Sequence, residues 1–232
     1  MGFSDSHHFR KTVAGWCMVA GPLLALVAFI VSPALESGSA AQVAQAAGHQ
    51  DRFLLSGLLS LAAVTLVVGG SLGMMHMLRE RMVAYGHAGG ILALVGLLAT
   101  MAGIGAQLML WAMVRDGVQA TDVTAWHAAT HDTAMVIPLF ALPWLAVVGF
   151  ATLAMGLYRA HAVDWWMAAM LTLGALGITL SATLASLAVG IVGAALFLVG
   201  SGSIGLMVLR ESDADWEHTP DYTGFRPAAG VR

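Results

Sequence analysis

Residues 163–209 read VDWWMAAMLTLGALGITLSATLASLAVGIVGAALFLVGSGSIGLMVL, and Asp164 is their one charged residue. A helix crossing a bilayer needs about 20 mainly apolar residues. This run holds 47, too many for one crossing. The polar cluster Ser181, Thr183 and Ser186 offers the one suitable turn, so the run reads as two spans, 163–183 and 186–209. Working outward, four more stretches meet the same test: 12–32, 53–78, 88–114 and 134–158. None alternates apolar and polar residues as a barrel strand would. The expectation is an all-α, polytopic membrane bundle of six helices over 12–209, with a segment 1–11 before it and a flexible tail 210–232.

Composition agrees. Of 232 residues, 59% are hydrophobic and 10% charged, where a soluble domain carries about 25% charged residues. Mean hydropathy is +0.81. A soluble enzyme and a disordered chain are excluded. With net charge −3 there is no basic surface to neutralise phosphates, so no nucleic-acid partner is expected. The partner is the lipid bilayer.

Basic residues set the expected orientation. With the N-terminus inside, one side holds Arg10, Lys11, Arg79, Arg81, Arg159, Arg210, Arg226 and Arg232, and the other only Arg52 and Arg115. The positive-inside rule then places both termini in the cytoplasm. The first span resembles a signal peptide in its Arg10-Lys11 start, but its apolar core is longer than a typical signal core, so an uncleaved helix is expected. The single cysteine, Cys17, lies within that span and reads as a packing residue. In the tail, Trp216, Tyr222 and Phe225 are candidates for docking on a partner.

No Asp, Glu, Lys or Arg lies mid-span, and Gln107 is the one side-chain amide there. Buried ionisable groups mark proton relays and ion paths. Their absence argues against an ion-coupled pump or a charge-selective channel and leaves room for a carrier of neutral or lipophilic compounds. Gly69/Gly73 and Gly86/Gly90 are spaced four apart, as helices that pack closely require, and such faces would also serve a homo-oligomer or a membrane-protein partner. Gly103-Ile104-Gly105 and Gly200-Ser201-Gly202 read as packing too. Pro138 and Pro143 should bend the fourth span.

Similar segments recur. Gly48-His49-Gln50-Asp51 precedes the second span and Thr130-His131-Asp132 the fourth. Ser71-Leu72-Gly73-Met74, Thr152-Leu153-Ala154-Met155 and Ser203-Ile204-Gly205-Leu206 each lie shortly before an arginine, Arg79, Arg159 and Arg210. The second, fourth and sixth spans thus read as copies in parallel helical-hairpin repeats.

Two places have residues suited to chemistry. On the outer side lie His49, Asp51, His127, His131 and Asp132. If the fourth helix starts near Asp122, capped by Asp122 or Thr124, His127 and His131 share one face. Histidines four apart on a helix can converge on a metal ion, and a bound zinc or copper would activate water. The plainer alternative is interfacial polar residues at helix starts, with Asp51–Arg115 or Arg52–Asp132 ion pairs. On the inner side, His76 and His87 flank a short loop and could ligate haem between helices, or simply meet the headgroups. Met74, Met75 and Met77 beside them read as adaptable packing. Hydrolytic or redox work at a metal or haem is therefore the alternative to a non-enzymatic accessory subunit or carrier. No phosphate-binding loop, nucleophile elbow or kinase signature is present.

The Ala- and Gly-rich, Lys-poor make-up, the six spans and the ending Leu72-Gly73-Met74-Met75-His76-Met77-Leu78-Arg79 resemble bacterial multi-pass membrane proteins of the actinobacterial type. The resemblance implies a bacterial inner membrane and brings no residue roles with it.

Overall fold

A computed structural model describes residues 5–33, 38–130, 133–213 and 216. Its described elements are all helical. They are α1 (Asp5–Val31), α2 (Ser39–Gly48), α3 (Gln50–Met77), α4 (Val83–Arg115), α5 (Ala120–Ala129), α6 (Thr133–Val136), a π-helical turn (Ile137–Ala141), α7 (Trp144–Arg159), α8 (Trp165–Thr183) and α9 (Leu187–Arg210). Six helices are long and apolar enough to cross a membrane, with α6, the π turn and α7 together forming the fourth. The protein is a multi-pass helical membrane bundle.

The long apolar run breaks where its polar cluster suggested. α8 ends at Thr183, Ala185 takes a left-handed conformation (φ 47°), and the Ser186 side chain caps α9 by accepting from the Val189 amide. At the other end of the chain the first helix begins at Asp5, earlier than the expected 12, so much of the N-terminal segment continues the span.

The spans form a ring in chain order. α1 packs on α3, α3 on α4, α4 on α7, α7 on α8, α8 on α9, and α9 closes back on α1. The Ser201 hydroxyl seals that closure by donating to the Met18 carbonyl at 2.8 Å, both residues being buried. Within the ring, α1–α3, α4–α7 and α8–α9 make hairpin pairs with one contact rule. A Cβ on Gly21 would lie 3.0 Å from the Val67 nitrogen, one on Gly96 would lie 2.1 Å from that of Ala146, and one on Gly174 would lie 2.3 Å from that of Phe197. Three residues further along the second helix the contact is returned: Gly70 abuts Met18, Gly149 abuts Ala93 and Gly200 abuts Leu171. Backbones this close leave no room for a side chain, which is why glycine stands there.

The same register continues toward the basic end of the ring, where Lys11, Arg79, Arg159 and Arg210 lie. Met74 and Leu78 of α3, Leu153 and Leu157 of α7, and Ile204 and Val208 of α9 are at most 1% exposed. Packing therefore matches Met74 with Leu153 and Ile204. The sequence match of Gly73 with Ala154 is displaced from this by two residues. Small residues recur every few positions in these helices, so similarity alone leaves the register loose, whereas the contacted partner defines it.

The glycine pairs expected to pack do so. Gly69 faces Cys17, Gly73 faces Met18 and Ala14, Gly86 faces Leu78, and Gly90 lies under Met75. Gly200 fits the same description. Gly103 and Gly105 do not: among the described residues nothing comes within 4 Å of a Cβ built on either. The expectation of packing there is corrected.

Candidate functional site

At the end of the ring away from the basic cluster, the connecting segments are helical rather than loops. α2 and α5 pack on each other and across the end of α4. Val43, Ala46, Leu110 and Val123 form a small second core, with Phe53, Met113, Val114 and Trp126 against it. Both segments are rich in alanine, the strongest helix former. Their buried residues Val43/Ala46 and Val123/His127 recur at three and four, the period of a helix with one face down. That signal was available in the sequence but is faint beside the spans.

This cap reshapes the histidine cluster. α5 starts after Gln119 rather than at Asp122, and Thr124 donates its hydroxyl to the Ala120 carbonyl instead of capping. α5 ends at Ala129, where the Thr130 hydroxyl donates to the His127 carbonyl at 2.6 Å. α5 and α6 are described as separate elements, and the expected pairing of His127 with His131 on one helix face falls partly outside them. His131 and Asp132 lie outside the described residues. His127 is buried in α5 at 8% exposure, while His49, at the α2–α3 junction, and Asp51 are exposed. Among the described residues no group of three or more His, Cys, Asp or Glu side chains is placed to hold a metal ion.

The expected ion pair Asp51–Arg115 is replaced. Arg115 pairs with Asp116 at 2.8 Å and lies over the Trp111 ring at 4.5 Å. Arg52 donates to the Val31 carbonyl at 3.0 Å. It thereby places a cation at the C-terminal end of α1, where the helix dipole is negative.

At the basic end the two histidines are engaged separately. The His87 Nδ1–H donates to the Val83 carbonyl at 3.0 Å. The Arg79 guanidinium donates to the His76 ring, at 3.0 Å from Nδ1. The opposite partner of His76 is Trp216, stacked at 4.7 Å between centroids and only 6% exposed. Trp216, at the start of the tail, therefore docks within its own chain, and most of the expected flexible extension lies outside the described residues. Tyr222 and Phe225 lie outside the described residues. The anchor is Lys11, 5% exposed, whose Nζ donates to the Glu211 carbonyl at 2.7 Å and pairs with Asp213 at 2.5 Å. His8 reaches the same carboxylate at 3.2 Å. The hydrogen bond from Lys11, opposed in part by desolvation and aided by that from His8, holds the Asp213 carboxyl below the ordinary carboxylate range.

Along the spans between these ends, Asp, Glu, Lys and Arg side chains stand only in terminal turns. Gln107 of α4 is exposed, and no described residue hydrogen-bonds its amide. No protein family, curated protein or solved structure matches the chain.

Proposed function

We propose that this protein binds or carries a neutral, lipophilic compound in a bacterial inner membrane, with both termini cytoplasmic and without coupling to ion movement. One observation carries the reading: the spans confine every charged side chain to their end turns and leave a single uncharged amide, Gln107, at depth. A proton- or cation-coupled carrier needs an ionisable or charged group along its path, and none is supplied. The eight-to-two division of basic residues between the two sides supports the orientation. The matched glycine contacts of the three hairpins support descent of the bundle from one duplicated hairpin, in parallel rather than inverted order.

The test is reconstitution into liposomes under an imposed pH gradient and membrane potential. Exchange of lipophilic compounds between leaflets or vesicles is expected to be equal with and without either gradient, and no current should accompany it. Flux that follows the proton gradient would refute the proposal.

A further inference from the structure

The position of Gln107 points to a specific binding cleft. At 100° per residue, Ile91, Leu98, Ala102 and Met109 define one exposed face of α4. Gly89, Gly96, Gly103 and Gln107 fall on nearly the opposite face. The first two meet α7 backbone to backbone: a Cβ on Gly89 would lie 2.8 Å from the Leu153 nitrogen, and one on Gly96 would lie 2.1 Å from that of Ala146. One heptad further, at Gly103, contact has ceased among the described residues.

The cause lies in the facing span. Seven residues back from Ala146 is Leu139, inside the π-helical turn Ile137–Ala141, which contains Pro138 and is followed by Pro143. Proline removes a backbone donor, and the π turn interrupts the regular α-helical ladder at this level. The turn still touches α4, but α6 beyond it leans substantially only on the turn. Ile137 is 60% exposed and Phe140 40%. Among the described residues, the seam between α4 and the fourth span is thus in backbone contact at Gly89 and Gly96 and has no such contact at Gly103.

We propose that this opening is a binding cleft for a neutral lipophile bearing a carbonyl oxygen, which the Gln107 amide N–H groups engage. The inference rests on the function proposed above and gives it a site. Gln107 lies about 12 Å along α4 from Arg115, eight residues away, below the depth of a phospholipid phosphate. A charged ligand would find no counter-ion there.

The probe is a 4-alkylbenzophenone with a terminal alkyne, itself a neutral carbonyl on an apolar chain. It is photocrosslinked to the full chain in phosphatidylcholine nanodiscs and mapped by mass spectrometry. Saturable labelling is expected within residues 103–107 or 137–141. Gln107→Leu should reduce it about three- to twentyfold, the worth of one hydrogen bond within a membrane. Gly103→Leu should abolish it by filling the cleft. Neither variant should unfold below the wild-type temperature, since neither position is packed. Labelling indifferent to both variants, or confined to the Ile91–Met109 face, overturns the cleft. Saturable labelling elsewhere overturns the cleft and leaves the proposed function standing, whereas no saturable labelling anywhere overturns both.

Discussion

Gly96→Ala and Gly103→Ala place the same methyl group one heptad apart on the same face of α4, and the structure requires opposite outcomes. At Gly96 the new Cβ would meet the Ala146 nitrogen at 2.1 Å and its Cα and Cβ at 2.7 Å. Ordinary contact begins near 3.4 Å, so α4 and α7 must separate by about 1.3 Å. The obstacle is backbone and cannot turn aside. Separation also loosens the Gly89–Leu153 and Ala93–Gly149 contacts on the same seam. Overpacking of this kind costs about 3 kcal/mol, offset by about 1 kcal/mol because alanine favours helix over glycine. The net is a loss of about 2 kcal/mol, or roughly 30-fold in the folded-to-unfolded ratio. At Gly103 the methyl meets no described atom, so the helix preference acts alone and stability holds or rises by up to about 1 kcal/mol. Reversible unfolding in mixed micelles, followed by far-UV circular dichroism, measures both. Equal losses at the two sites would refute the splayed seam, and no loss at Gly96 would refute the hairpin contact itself.

Two further outcomes follow from the ring closure and the tail. Ser201→Ala removes the buried hydrogen bond from α9 to the Met18 carbonyl and should cost about 0.6–1.7 kcal/mol in the same unfolding measurement. Asp213→Asn should loosen the tail more than Lys11→Met, because it leaves the buried ammonium of Lys11 without its counter-charge while the reverse leaves a solvated carboxylate. Since the Asp213 carboxyl is held below the ordinary carboxylate range, the contact is fully present above that range and is lost as pH falls through the lowered value. The fluorescence difference between wild type and Trp216→Phe reports it. Release near neutral pH would contradict the pairing.

The spans were legible because the bilayer imposes a length and a polarity that few other environments demand. Residues 163–209 could divide only at Ser181–Ser186, and they divide there. α2 and α5 were not legible at that scale, since ten-residue alanine-rich helices resemble polar loops when hydropathy is averaged over a span. Of the outer histidines, His127 is legible as a helical residue and is buried in α5, whereas His131 lies outside the described residues. Gln107 stands out in the sequence as the one mid-span amide, but its surroundings depend on Gly103, whose lack of contact only the packing reveals. Trp216 was read from a polar tail, although the aromatic partner it stacks on, His76, lies 140 residues earlier in the chain.

The three hairpins supply their own comparison for the cleft. The residue one heptad beyond Gly21 in α1 is Ala28, at 2% exposure, and that beyond Gly174 in α8 is Ser181, also at 2%. The equivalent residue beyond Gly96 is Gly103, which is half exposed and uncontacted among the described residues. Two hairpins therefore keep their seams closed past this level, and the one that opens is the one whose second helix carries Pro138, Pro143 and the π turn. If close packing were the only requirement on the bundle, the second hairpin would gain by following the other two, with an uninterrupted helix and a side chain in place of Gly103. It instead gives up packing at one level while holding the shared contacts at Gly96 and Gly149 on the neighbouring one. An interruption so local, beside an amide that no described residue hydrogen-bonds, is the arrangement the proposed cleft calls for.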